Sequence, residues 1–182
     1  EGWAAPEVMQ NSNHASVHSD EHTLAVLIFN ALMMTNPFEG KAFNSIKYYD
    51  DKQEYLKRPV FMFDPVDDSN RCENEDIKTL WDLLPAYVQQ LFCTTFGPGL
   101  HQPDKRVCAK AWGQALLQLL VEGVVCKCGA HLSRSLLSVQ QGMSHCPLCQ
   151  RSFRIPAALR VNDYLVTLLP GRRLYQFCLD PS

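Results

Sequence analysis

Four cysteines in one short stretch constrain this chain more than any other feature. Cys126-Lys127-Cys128-Gly129 and Cys146-Pro147-Leu148-Cys149 form two close pairs with 17 residues between Cys128 and Cys146. Two cysteines on one tight turn can both point at a single ion, and a spacer of this length suits a hairpin that returns the second pair to the first. Zinc takes four ligands tetrahedrally, and thiolates suit it. Gly129 and Pro147 are turn residues. A hairpin this small has little core, so a metal would supply much of its folding free energy. The spacing predicts one structural zinc ion on Cys126, Cys128, Cys146 and Cys149, with no open coordination position for catalysis. The first pair has one intervening residue where two are commoner, so His131 and His145 stand as alternative ligands. Ordinary reduced thiols and an iron–sulfur cluster are the competing readings, and nothing else in the chain suggests electron transfer.

The remaining cysteines, Cys72, Cys93, Cys108 and Cys178, are scattered. Cys93 and Cys108 sit in apolar helical patterns, where a free thiol behaves as a small hydrophobe. That usage points to a reducing, cytoplasmic setting rather than a disulfide framework. Hydrophobic residues make up 46% of the 182 residues and charged residues 20%, an ordinary globular balance. The net charge of −2 argues against broad electrostatic attraction to nucleic acid. The cysteine ribbon, with Lys127, Arg134, Arg151, Arg154 and Arg160, has only modest basic character, so nucleic acid is not expected as a partner. The longest apolar run, Leu24 to Phe29, is far too short to cross a bilayer. The chain starts at Glu1 and enters a structured-looking motif at once, so it reads as a piece of something longer.

Hydrophobic periodicity predicts a helix over Asp20 to Met34, capped by Asp20, with Leu24, Leu27, Ile28, Ala31 and Leu32 on one stripe. Residues filling the other sides make it a buried central helix, and Asn36-Pro37 stops it. Residues 38–75 read as a long connecting region with one short helix. Further helices are expected over Ile77 to Leu84, from Pro85 to about Phe96 with Gly97-Pro98-Gly99 as terminator, and over Val107 to Leu120. Past Glu122-Gly123 the character changes to β-branched residues, cysteines and turns. The tail from Tyr164 to Leu179 reads as two strands around a Pro170-Gly171 turn. The expected fold class is α+β: a mainly helical domain over residues 1–121, then a small β-rich zinc ribbon over 122–182.

Several segments of residues 1–120 resemble the C-terminal lobe of eukaryotic-type serine/threonine protein kinases. Trp3-Ala4-Ala5-Pro6-Glu7 resembles the end of the kinase activation segment. Ser19-Asp20 and the apolar helix after it follow in the family's order. Thr35-Asn36-Pro37-Phe38 is similar to the turn after that helix, and Asp104-Lys105-Arg106 with Trp112 to the region near the lobe's end. Val107 stands where the family usually has proline.

The resemblance implies that Glu7 pairs with Arg106 and anchors the activation segment. It implies that Asp20 accepts hydrogen bonds from the catalytic-loop backbone, and that Gly2 and Trp3 lie on the substrate side. The partners it implies are the N-terminal lobe and catalytic loop of the same parent, and a protein substrate. ATP and Mg²⁺ would belong to the full-length parent alone. This chain has no Gly-rich loop, no strand lysine in a Val-Ala-Ile-Lys context, no His-Arg-Asp and no Asp-Phe-Gly, so no catalytic residue is assigned to it. The alternatives are a pseudokinase or adaptor that docks proteins through its ribbon, and a helical interaction domain in which Glu7 and Arg106 lie far apart. His14, His18 and His22 recur every four residues, and the acidic stretch Asp64, Asp67, Asp68, Glu73, Glu75 and Asp76 lacks the order of a calcium loop. No Glu or Asp at matching positions completes a site with the histidines, so no second metal site is expected there, and a solvated loop is the expectation for the acidic stretch.

Overall fold

The computed structural model describes residues 3–10 and 15–171. The chain divides into two compact units: residues 1–82 with 86–112, and residues 83–85 with 113–182. The first is helical. The second is built from antiparallel β-hairpins around a cysteine cluster. Among the described residues no helix is long and apolar enough to cross a membrane.

The first unit is organised around α2 (Val17–Met33), preceded by the short α1 (Pro6–Gln10). Asp20 does not cap α2. Ser16 does: the Ser19 amide donates to the Ser16 hydroxyl at 3.3 Å, and the Ser16 amide donates to Ser19 Oγ at 2.8 Å. This reciprocal box starts the helix four residues before the expected cap. The helix ends on Met34 in the left-handed region (φ 58°), whose amide donates to Asn30 O at 2.8 Å. The buried face carries Ser19, His22, Ala25, Val26, Phe29 and Met33. The stripe expected from periodicity is the other side, and Leu27 on it is 49% exposed. A helix apolar nearly all round does not choose its face by period alone. Here the rings choose it: Phe29 packs edge-to-face on Phe61 and Phe92, with centroids 5.6 and 5.1 Å away.

Residues 38–75 hold two helices rather than one, α3 (Lys41–Ser45) and α4 (Tyr49–Tyr55). The rest of this stretch is tied down by Asn70, which is wholly buried. Its side-chain amide donates to the carbonyls of Phe38 (2.9 Å) and Val60 (2.7 Å) and accepts from the Phe43 amide (3.2 Å). Gly40 is pressed so close that a Cβ there would lie 1.9 Å from the Asn70 carbonyl oxygen. Next comes α5 (Glu75–Asp82), shifted two residues upstream of its expected span, because the Asn74 side chain caps the amides of Asp76 and Ile77. Then comes α6 (Ala86–Phe96). It ends at Phe96, but Pro98 at once opens a further short helix, α7 (Pro98–His101). The last α-helix among the described residues, α8 (Ala109–Glu122), runs past the division between the units.

Among the described residues the second unit contains three separate two-stranded sheets. They are β1 (Val124–Val125) with β2 (His131–Leu132), β3 (Met143–His145) with β4 (Ser152–Arg154), and β5 (Ala158–Val161) with β6 (Tyr164–Thr167). Tyr164 does open a strand, but its partner lies upstream. The turn of that hairpin is Asn162-Asp163, with Asn162 at φ 50°. Asn tolerates the left-handed region nearly as well as glycine, which is why a turn without Pro or Gly forms here. The second strand expected in the tail, and Cys178 with it, lie outside the described residues. Val124, Leu132, Phe153 and Ile155 form one small core with Cys126 and Cys146, and Val121, Tyr164 and Val166 form another. Glu122 is buried at the end of α8, where its carboxylate accepts from Ser133, from Ser135 (3.1 Å) and from Gln118 (3.0 Å).

Candidate metal centre and the Glu7–Arg106 anchor

The two cysteine loops are built alike. In the first, the Gly129 amide donates to the Cys126 carbonyl and the Cys126 amide to Ala130 O, both at 2.9 Å. In the second, the Gln150 amide donates to the Cys146 carbonyl at 2.9 Å and the Cys146 amide to Arg151 O at 3.0 Å. Each loop closes through a left-handed residue, Gly129 at φ 89° and Gln150 at φ 58°. Hairpins β1–β2 and β3–β4 supply the stems.

The four thiols converge, with all Sγ atoms within 4.8 Å of one another. Cys126 and Cys149 sulfurs are 3.7 Å apart, and those of Cys128 and Cys146 are 3.8 Å apart. These separations are far beyond a disulfide bond, which is about 2.05 Å. They suit four sulfurs gathered around one ion, so the cluster can hold a metal. Burial opposes ionisation of Cys146, but the amides of Cys149 and Leu148, with the thiols of Cys149 and Cys126, bring its pKa down to about 7. At Cys126 the Cys128 backbone favours the thiolate, yet burial and the three neighbouring thiols prevail and push it up to about 11. A metal would take these thiols as thiolates and release their protons. His131 and His145 are exposed and stand outside the cluster, so the cysteines alone make the donor set.

The other expected residues meet in the first unit. Arg106 Nη1 donates to Glu7 Oε1 at 2.6 Å and Nη2 to Glu7 Oε2 at 2.8 Å. Arg106 also donates to the carbonyls of Gly99 and His18, each at 2.8 Å. Its side chain has no solvent exposure, while that of Glu7 keeps 29%. Burial alone would raise the Glu7 carboxyl, but the guanidinium holds it below its ordinary value. The Trp3 carbonyl accepts from Thr23 Oγ1 on α2 at 3.2 Å. Asp20 sits exposed in the first turn of α2. Gly2 and His14 lie outside the described residues.

His18 and His22 do not converge on a common point. His18 faces Glu21 at 2.9 Å. His22 is wholly buried, stacked on Phe38 and edge-on to Phe96, both at 5.8 Å, and neither ring nitrogen has a hydrogen-bond partner. Burial first, and then the Arg106 charge, lowers its pKa to about 4, against a smaller opposing pull from Glu7. Sequence reasoning weighs this histidine only as a metal ligand and misses its burial. Its position on the Ala25–Phe29 face of α2 is the one available signal. The acidic stretch binds its own backbone, with Asp64 accepting from the amides of Val66 (2.8 Å) and Asp67 (3.0 Å).

No protein-family model, curated protein sequence or solved structure matches this chain.

Proposed function

We propose that this chain is the C-terminal, substrate-side part of a serine/threonine protein kinase, followed by a ribbon that holds one structural zinc ion through Cys126, Cys128, Cys146 and Cys149. The observation that carries the kinase reading is the two-pronged Glu7–Arg106 pair. It fastens the helix following Trp3-Ala4-Ala5-Pro6 to a buried arginine 99 residues away. That is the contact the family resemblance calls for, between residues whose motifs are otherwise short. The exposed Asp20 carboxylate is free to meet the catalytic-loop segment of the parent.

For the ribbon, the support is distance. With Zn–S bonds of about 2.3 Å, the edge of a sulfur tetrahedron is ~3.8 Å, and the sulfurs here stand 3.7 and 3.8 Å apart. Four thiolates leave no position for substrate, so the ion would supply a cross-link and no chemistry. A setting in the reducing cytoplasm keeps such thiols available.

Phosphoryl transfer depends on parts that this sequence lacks, so the chain alone transfers no phosphate. The parent protein would bind ATP and Mg²⁺ through its N-terminal lobe and catalytic loop and act on a protein substrate. The test is Mg²⁺-dependent transfer of labelled phosphate by the full-length parent, with and without Glu7→Gln. Transfer that falls with the substitution supports the reading. A parent that binds no ATP and transfers nothing, with its zinc intact, supports the pseudokinase or adaptor instead. Saturable transfer by the isolated chain would sink the assignment of roles.

A further inference from the structure

The net charge of −2 conceals a segregation. Residues 123–171 carry five cations (Lys127, Arg134, Arg151, Arg154 and Arg160) against one carboxylate, Asp163. Residues 1–122 carry ten Lys and Arg against seventeen Asp and Glu. Charge asymmetry of this kind between two parts of a chain is a statement about partners, because a fold gains nothing from self-repulsion.

The structure shows what those cations do. Arg134 donates to Pro156 O at 2.6 Å and is partly buried. The other four are exposed, and among the described residues none forms an ion pair. In the β3–β4 hairpin, Ser144 and Phe153 are paired and buried, so Met143, His145, Ser152 and Arg154 share the outer face. Lys127 and Arg151 belong to the two cysteine loops, which the converging thiols draw to one end of the ribbon. Both aromatic residues of this segment, Phe153 and Tyr164, are buried, at 8% and 6% exposure. Apart from the exposed imidazoles of His131 and His145, the described surface of this segment offers cations and hydrogen-bond donors but no ring on which a base could stack.

We propose that the ribbon unit binds nucleic acid through its phosphate backbone, without sequence preference, using Lys127, Arg151, Arg154 and Arg160. An acidic polypeptide would satisfy the charges too, but a regular row of phosphates suits cations spread over two hairpins and both loops. The inference rests on the ribbon alone and does not depend on the kinase reading.

The experiment is fluorescence anisotropy of the full, metal-loaded chain with labelled 20-nucleotide single strands, one of mixed sequence and one of thymidine only, from 50 to 200 mM salt. Four phosphate contacts give a log–log salt slope of about −3, a weakening of roughly 50-fold over that range. The two strands should bind equally. Arg151→Gln with Arg154→Gln should halve the slope, and Lys127→Gln with Arg160→Gln should do the same, with zinc content unchanged in both. Arg71→Gln with Lys78→Gln in the helical unit should change nothing. The proposal is overturned by no binding at 50 mM salt, by binding that both ribbon pairs leave intact, or by equally tight capture of polyglutamate. A strong preference between the strands would refute backbone recognition. Loss of zinc from the chain would instead refute the metal reading, which elemental analysis of each variant detects separately.

Discussion

Arg106 and Glu7, 99 residues apart in sequence, meet in a paired hydrogen bond that leaves the guanidinium no contact with solvent. Breaking a buried pair from one side costs more than the pair contributes, because the remaining charge has nowhere to go. Glu7→Gln is expected to destabilise the helical unit by ~3 kcal/mol in urea unfolding. Glu7→Leu combined with Arg106→Met should recover most of that loss. A cost below about 1 kcal/mol for Glu7→Gln would place the pair among exposed ones.

His22 makes the same unit sensitive to acid. Its pKa falls from 6.5 when exposed to about 4 in the fold, so the unfolded chain takes up the proton first. Stability is then complete above pH 6.5 and declines as pH falls from 6.5 toward 4, by about 3 kcal/mol in all. The charged groups around the ring are Arg106, which deepens the effect, and Glu7, which opposes it. Glu7 adds a loss of its own lower down, as pH falls below its ordinary value of 4.5. His22→Phe keeps the stack between Phe38 and Phe96 and should flatten the curve between pH 6.5 and 4. An unchanged curve in that variant would rule out His22 as the cause.

Asn70 should be the most sensitive polar position in residues 38–75. Asn70→Ala removes one acceptor and two donors from buried backbone groups, at a cost of ~2–4 kcal/mol. Gly40→Ala should also destabilise, since its Cβ would meet the Asn70 carbonyl and only a backbone shift relieves the contact. Thermal unfolding of the two variants checks both. A melting temperature within a degree of the parent would contradict them.

Elemental analysis of the purified chain should find one zinc per molecule. A strong chelator should abolish the ordered β signal of the ribbon and spare the α signal of the first unit, read by circular dichroism. Cys146→Ser should match chelation, because the loop geometry survives but one thiolate does not. Acid should release the metal as well, since protons compete for the same sulfurs. Metal-free chain with an intact ribbon would show that packing around Val124, Leu132, Phe153 and Ile155 suffices.

The cysteine loops were legible because their spacing leaves few geometric solutions. The Glu7–Arg106 contact was not legible from local pattern at all. It spans most of the first unit and could be reached only through the likeness of short motifs to a known lobe. Periodicity found α2 but not its inner face, since Leu24, Leu27 and Ile28 are as apolar as Ala25, Val26 and Phe29. The capping box at Ser16 and Ser19 was hidden because serine at the last position does the work usually read from Glu or Gln. Residues 56–74 looked like loop because Asn70 holds them by side-chain bonds, which leave no periodic trace. The five ribbon cations were visible in the sequence but counted as modest, because only the structure shows that Lys127, Arg151, Arg154 and Arg160 are exposed and outside its ion pairs among the described residues.

Among the described residues the three ribbon hairpins form separate two-stranded sheets, so no continuous sheet links them. A metal held by the cysteine loops would then act as a clasp, and its loss would open the backbone at Lys127 and Arg151 to a trypsin-like protease. Metal supply would in that way set the survival time of the ribbon, with metal-starved chains trimmed and metal-replete chains kept whole.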